Sequence, residues 1–254
     1  MLDSKQIEKV IFFDIESTSQ YPTFKSLPER LQKLFAKRFK KEFDEIAIPQ
    51  SSTGCQHLGY DINKAEDIYS NKAPLFAEWG RVLCISMGLL SKVGDEYQMK
   101  IVTYSDDDEK VLLEKFLKGT SKITDTTNPE YHWCGHNANN FDIPFITKRI
   151  ILNKLLLPKM FDSFHLKPWE RTFIIDTKVF WQMGVYDHNV SLDMLCEIFG
   201  VASSKSDMDG SEVKDVFWVD KDLSRIVRYC ELDILSLAKC YLKIKNIHNL
   251  VVRV

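Results

Sequence analysis

An apolar run that reads as a buried strand, Val10-Ile11-Phe12-Phe13-Asp14-Ile15-Glu16, carries two carboxylates in its second half. Short β-branched and aromatic segments of this kind favour strands. A carboxylate in such a place is costly unless something offsets its desolvation. Residues two apart on a strand share a face, so Asp14 and Glu16 project together while Phe13 and Ile15 face the other way. Two more acids lie beside apolar segments far along the chain. Asp142 closes Asn137-Ala138-Asn139-Asn140-Phe141-Asp142, and Asp233 closes Tyr229-Cys230-Glu231-Leu232-Asp233.

The surrounding pattern suggests how these segments could meet. Strands are expected at Lys9–Ile15, Arg81–Leu90, Gln98–Tyr104, Tyr131–Gly135 and Phe173–Asp176. The first three suggest an antiparallel meander, with a turn at Gly94-Asp95. Helices are expected over Asp106–Leu117, Asn140–Leu152 and Ser191–Phe199, the last stopped by Gly200. Asp220 is expected to cap a long final helix with Ile226, Cys230, Ile234, Leu237 and Tyr241 on one side. Strands first, then alternating strands and helices, argue for an α/β fold with a mixed sheet.

Residues 17–74 read as a helical insertion. Ser26 and Glu29 fit a capping box with Pro28 in the first turn. Leu27, Leu31, Leu34, Phe35, Phe39 and Phe43 then recur at helical spacing. Lys33, Lys37, Lys40 and Lys41 occupy the opposite face, which is first a solvated face and only second a nucleic-acid contact.

A net charge of −2 over 254 residues excludes a protein held on nucleic acid by charge alone. It leaves nucleic acid open as a substrate, since bound cations add local positive charge. The six cysteines show no Cys-x-x-Cys pair and read as buried free thiols in a reducing compartment. The histidines lack ligand spacing, which disfavours zinc. Val10–Phe13 is far too short for a signal peptide or a membrane span, so a cytoplasmic protein with no membrane contact is expected.

Each motif alone has a plain explanation: a chance Asp-x-Glu, a first-turn acid favoured by the helix dipole, a solvated Asp beside a core-edge Tyr. Together and in this order they point to one site. Converging carboxylates repel by up to roughly 4 kcal/mol per pair at an effective dielectric near 20. Two divalent cations with oxygen ligands remove that penalty, and Mg²⁺ and Mn²⁺ prefer such ligands. Two ions roughly 4 Å apart can hold both the attacking and leaving oxygens of a displacement at phosphorus. Tyr229 and Asp233, four apart, stack on one helix face. A free phenol with a pKa of about 10 is a poor base, so Tyr229 suits aiming a water. Trp169, Trp181 and Trp218 could stack on bases, and core packing serves as well for each. Lys205 could meet a phosphate, but an exposed loop lysine needs no function.

The motifs resemble the DnaQ-like 3′–5′ exonucleases of the RNase H-like superfamily. Phe13-Asp14-Ile15-Glu16 is similar to the first motif, Asn137–Asp142 to the second and Tyr229–Asp233 to the third. The Tyr four before the last Asp marks the DEDDy subclass. Asp176-Thr177-Lys178, Ser191–Leu195 and Gly200 look like the exonucleases related to the proofreading domain of family-B DNA polymerases. The resemblance implies a single exonuclease domain, 1–254, built on a mixed five-stranded sheet flanked by helices. It implies release of nucleoside 5′-monophosphates from the 3′ ends of single-stranded nucleic acid, DNA favoured over RNA. Asp14, Glu16, Asp142 and Asp233 take the roles of ligands to two Mg²⁺ or Mn²⁺ ions, and Tyr229 positions the water. Asn137 and Phe141 take substrate-strand roles. A separate polymerase or repair factor is the expected partner. The alternative is the same fold as a catalytically weak binding module of a repair or replication assembly.

Overall fold

The computed structural model describes residues 4–47, 60–93, 96–124, 130–162, 170, 173–185, 189–204, 208–247 and 252–253. The expected turn at Gly94-Asp95, and Cys55, Trp169 and Lys205, lie outside them. The chain divides into two compact units, Met1–Glu16 with Val82–Val254 and Ser17–Arg81.

The first unit is built on one sheet. Its strands are β1 (Val10–Ser19), β2 (Gly80–Val93), β3 (Glu96–Ser105), β4 (His132–Gly135), β5 (Ile174–Asp176) and a two-residue β6 (Val252–Arg253). The order is β5-β4-β1-β2-β3-β6. The five expected strands are all present, and β6 adds a short edge to β3. β2 and β3 pair antiparallel. β4 runs parallel to β1, and β5 parallel to β4. A parallel neighbour needs a long crossover, and α4 (Glu109–Thr124) and α5 (Asp142–Leu152) lie in those connections. Shorter helices follow: α6 (Lys159–Asp162), α7 (Thr177–Gln182), α8 (Leu192–Phe199) and α9 (Val213–Asp215). The long α10 (Leu223–Ile244) comes last.

Strand parity sorts the core into two faces. Val10 and Phe12 face α10, where Ile234, Leu237 and Tyr241 meet them. The Phe12 and Tyr241 rings pack edge to face at 5.6 Å. Phe13 turns to the other face, against Trp133, which contacts Phe116 and Phe161. α10 approaches β2 so closely that a Cβ on Gly88 would stand 2.6 Å from Ile234 Cγ2. The glycine is therefore needed for that approach.

Arg149 is the only buried cation among the described residues, and it is neutralised by Glu109. Glu109 also accepts the Val82 amide at 2.7 Å and Asn153 Nδ2 at 3.0 Å. This pair ties α4, α5 and β2 together and holds the C-terminal end of α5. Removing one partner of such a pair leaves a buried charge uncompensated. Glu109→Ala is expected to cost roughly 3–5 kcal/mol. By calorimetry the melting temperature should fall by roughly 10 °C, and a fall of only 1–2 °C would contradict the account.

The start of α10 differs from expectation. α10 is capped by Asp222, whose carboxylate accepts the Arg225 amide, and not by Asp220. Residues Val216–Asp220 form a π turn that ends at Lys221 with φ 59°, so the chain reverses before the helix begins. α8 starts at Ser191 and stops at Gly200 with φ 63°, as its sequence predicts.

The second unit comprises α1 (Glu29–Arg38), α2 (Lys40–Glu45) and α3 (Ile62–Lys72). Its core is aromatic: Phe24, Phe35, Phe39, Phe43 and Tyr69 are buried together. The expected Ser26–Glu29 capping box is absent. Thr23 and Ser26 form the box instead, around a 3₁₀ turn, because Ser26 sits three residues after Thr23. α1 starts at Pro28 without a side-chain cap. The expected continuous helix breaks at Phe39, with φ −107° and ψ 41°. The break buries Phe39 while Leu34 stays 44% exposed.

Candidate active site

Parallel pairing brings the C-terminal ends of β1, β4 and β5 to one edge of the sheet. Ligands of α/β folds collect at such an edge. Three buried acids lie there. Glu16 follows the paired part of β1, Asp142 opens α5 just after β4, and Asp176 ends β5. Besides Glu109, these are the buried acids among the described residues.

Asp14 and Glu16 share the strand face of Phe12, which is the face covered by α10. Tyr229 and Cys230 of α10 are buried, and Asp233 one turn on is half-buried. One ligand atom each from Asp14, Glu16 and Cys230 lies within 4.8 Å of the other two. The Cys230 thiol donates to Asp14 Oδ2 at 3.5 Å.

The acids resist ionisation together. Burial pushes the Asp14 carboxyl well above the usual aspartate range, and Asp142 and Asp233 push it further. Burial raises Glu16 likewise, with Asp14 the next cause. Asp142 is pushed up to about 7, first by burial. Backbone amides of Asp142 and Ile15 pull it back, while Asp176 and Asp233 add repulsion. Burial also raises the Tyr229 phenol, helped by Asp233, Glu16 and Asp14. Tyr229 therefore keeps its proton. Ser204 donates to Asp233 Oδ1 at 2.6 Å and also hydrogen-bonds Tyr229.

The loop between β4 and α5 is shaped by Asp176. Its carboxylate accepts the amides of Asn137 at 2.9 Å, Asn139 at 3.1 Å and Lys178 at 3.0 Å. Asn137 adopts φ 65°, a left-handed conformation that asparagine tolerates better than most residues. Its Oδ1 accepts from Lys178 Nζ at 3.2 Å and Asn140 Nδ2 at 3.3 Å. A Cβ on Gly135 would stand 2.5 Å from Ala138 Cβ, so the turn closes only over glycine. Beside the loop, burial lowers the pKa of His136, whose Nε2 meets the Val190 carbonyl at 2.8 Å.

The fold thus gathers Asp14, Glu16, Asp142, Tyr229 and Asp233, with Asn137 in the adjoining loop. Phe141 precedes α5 half-buried, its ring 5.4 Å from Phe145. Trp181 and Trp218 pack on neighbours, Phe199 at 5.5 Å and Phe217 at 4.9 Å. Asp193 accepts a hydrogen bond from Ser203. Sequence reasoning passed over Cys230, Ser204 and the loop-holding role of Asp176. Asp176 carried a signal, since it ends an apolar strand as Asp14 does. Cys230 stood inside the third motif. Ser204 carried none.

The donor set fits divalent cations of the hard class. Carboxylate oxygens converge, and burial with neighbouring charge holds Asp14, Glu16 and Asp142 away from ionisation, a cost that a cation offsets.

The sheet is mixed, in the order β5-β4-β1-β2-β3-β6, and is flanked by helices. The chain belongs to the family of predicted 3′–5′ exonucleases related to the exonuclease domain of PolB, whose pattern matches residues 75–252. Among solved structures it is similar to the family B DNA polymerase from the hyperthermophilic archaeon Pyrobaculum calidifontis, at 14% identity and a TM-score of 0.47. That match covers 92% of this chain and 24% of the polymerase chain, so this chain spans about a quarter of it. No curated protein matches the sequence. No helix of the described residues is long and apolar enough to cross a membrane.

Proposed function

We propose that the protein is a metal-dependent 3′–5′ exonuclease that shortens single-stranded nucleic acid, DNA in preference to RNA, and releases nucleoside 5′-monophosphates. The observation that carries this reading is the set of mutually repelling acids at the C-terminal edge of the parallel strands, beside a tyrosine held protonated. Asp14, Glu16, Asp142 and Asp233 hold two Mg²⁺ or Mn²⁺ ions in this reading. Bound there, the ions offset charge developing on the phosphate and lower the pKa of water.

The chain's own residues do the positioning. Tyr229 cannot act as base, because burial and three acids keep its proton in place. It donates a hydrogen bond and aims the attacking water. Ser204 keeps Tyr229 and Asp233 in register. Asn137 Oδ1 already accepts from Lys178 and Asn140, so its amide N–H groups are what it offers a phosphate oxygen. Phe141 takes the terminal nucleotide at the same edge. Residues 17–74 are an insertion in a single exonuclease domain. The protein works in the cytoplasm on 3′ ends left by a separate polymerase or repair factor.

A 5′-labelled single strand tests the activity. A ladder shortening from the 3′ end should appear with Mg²⁺ or Mn²⁺ and vanish with chelator. Tight binding without a ladder under either metal would favour a binding module. Tyr229→Phe should keep metal binding and lose roughly a hundredfold in turnover; an unchanged rate would remove the tyrosine from the mechanism.

A further inference from the structure

Seven Lys and Arg stand against one acid over residues 25–41, in a chain whose net charge is −2. All seven are exposed. On α1, Arg30, Lys33, Leu34 and Lys37 fall at spacings of three and four, so they form one stripe along the helix. Lys33 pairs with Glu29 in the same turn, with both ends exposed, a contact that contributes little. Arg30 and Lys37 form no ion pair among the described residues. The fold of this unit therefore leaves the stripe with positive charge that it does not neutralise.

A basic helix suits either an anionic membrane surface or a nucleic-acid backbone. The membrane requires a free apolar face beside the basic one. Here Phe35 and Phe39 are already buried in the aromatic core, and Leu34 is the one large apolar side chain that α1 exposes. We infer that the Arg30-Lys33-Lys37 stripe is a sequence-independent docking surface for the phosphate backbone of the substrate strand. This rests on the reading of the protein as an exonuclease of single strands, and goes beyond it by giving the insertion a task. The stripe lies outside residues 75–252, which match the family pattern. Its unit begins at Ser17, directly after Glu16 in the chain. Two tethered contacts for one strand make the second one intramolecular, so even a weak stripe adds to the overall affinity. Lys and Arg that neutralise phosphates release counterions, so this share of the affinity falls as salt rises.

Fluorescence anisotropy of a labelled single strand with metal-free protein, over a range of salt, tests the inference. The triple variant Arg30→Gln, Lys33→Gln, Lys37→Gln should bind roughly tenfold more weakly at low salt. Its slope of log affinity against log salt should be shallower by about 2, and that of each single variant by about 0.7. Arg30→Lys with Lys37→Arg keeps the charge and should keep both affinity and slope. These side chains are exposed, so the melting temperatures should hold. With Mg²⁺, the triple variant should raise KM for a long strand while kcat holds, because uniform binding alone is lost. An unchanged slope in the single and triple variants would overturn the inference and leave the exonuclease reading intact. Binding of phosphatidylserine vesicles as tight as that of the strand, lost in the triple variant, would assign the stripe to a membrane and also overturn it. A wild type that neither binds nor shortens the strand would sink both.

Discussion

Asp14→Asn is expected to abolish hydrolysis and to stabilise the metal-free protein. The loss should be roughly a thousandfold or more in turnover, because an acid shared by the strand and helix sides of the cluster is removed. The gain has a separate cause. Burial, Asp142 and Asp233 all oppose charge on Asp14, so at pH 8 its carboxylate is a net cost to the fold. A neutral amide of the same shape removes that cost and keeps an oxygen for the Cys230 thiol. About 1 kcal/mol moves the melting temperature by roughly 2–4 °C in a chain of this size, so a rise of a few degrees should be visible by calorimetry. The same variant should lose most of the upward shift that Mg²⁺ or Mn²⁺ gives the wild type. Activity within tenfold of wild type would end the assignment of Asp14. A lower melting temperature would show that the carboxylate is structural.

The second large effect is a stability that falls as pH rises. Asp142 has a folded-state pKa of about 7 against an ordinary 3.8. Between those values the unfolded chain sheds the proton first, so the folded state binds more protons and stability declines with pH. Three units at 1.36 kcal/mol each amount to roughly 4 kcal/mol once pH passes 7. Asp14 and Glu16 shift the same way and extend the decline to higher pH. His136 opposes it below pH 6.5, because its lowered pKa makes the folded state reluctant to charge. Metal-free protein should therefore melt lower at pH 8 than at pH 6.5, where the acids act alone. Saturating Mg²⁺ should close the gap at pH 8 and do little at pH 5. A melting temperature flat from pH 6.5 to 8, or a metal effect equal at both ends, would mean that the acids do not share one site.

Much of this site could be read from local periodicity. Period two on β1 put Asp14 and Glu16 on one face, and the structure covers that face with α10. Spacing of four put Tyr229 and Asp233 on one side of a helix that the structure retains. The five strands were legible because each is a compact apolar run. Less legible were features set by competition between neighbours. Ser26 could have capped α1, but Thr23 reached it first. The sequence points to Asp220 as the cap of α10, but Asp220 is taken up by the π turn, which leaves Asp222 as the start.

The sequence by itself determined which acids sit in apolar surroundings, in what order they occur and which of them share a local face, because helix and strand periods are properties of the backbone. Only the tertiary structure decided what stands opposite them. Parallel pairing carries Asp142 and Asp176 to the edge that ends near Glu16, and the fit of α10 over Gly88 brings Cys230 to Asp14 across 216 residues of chain. Contacts between segments so distant depend on packing across the sheet, which no local period encodes.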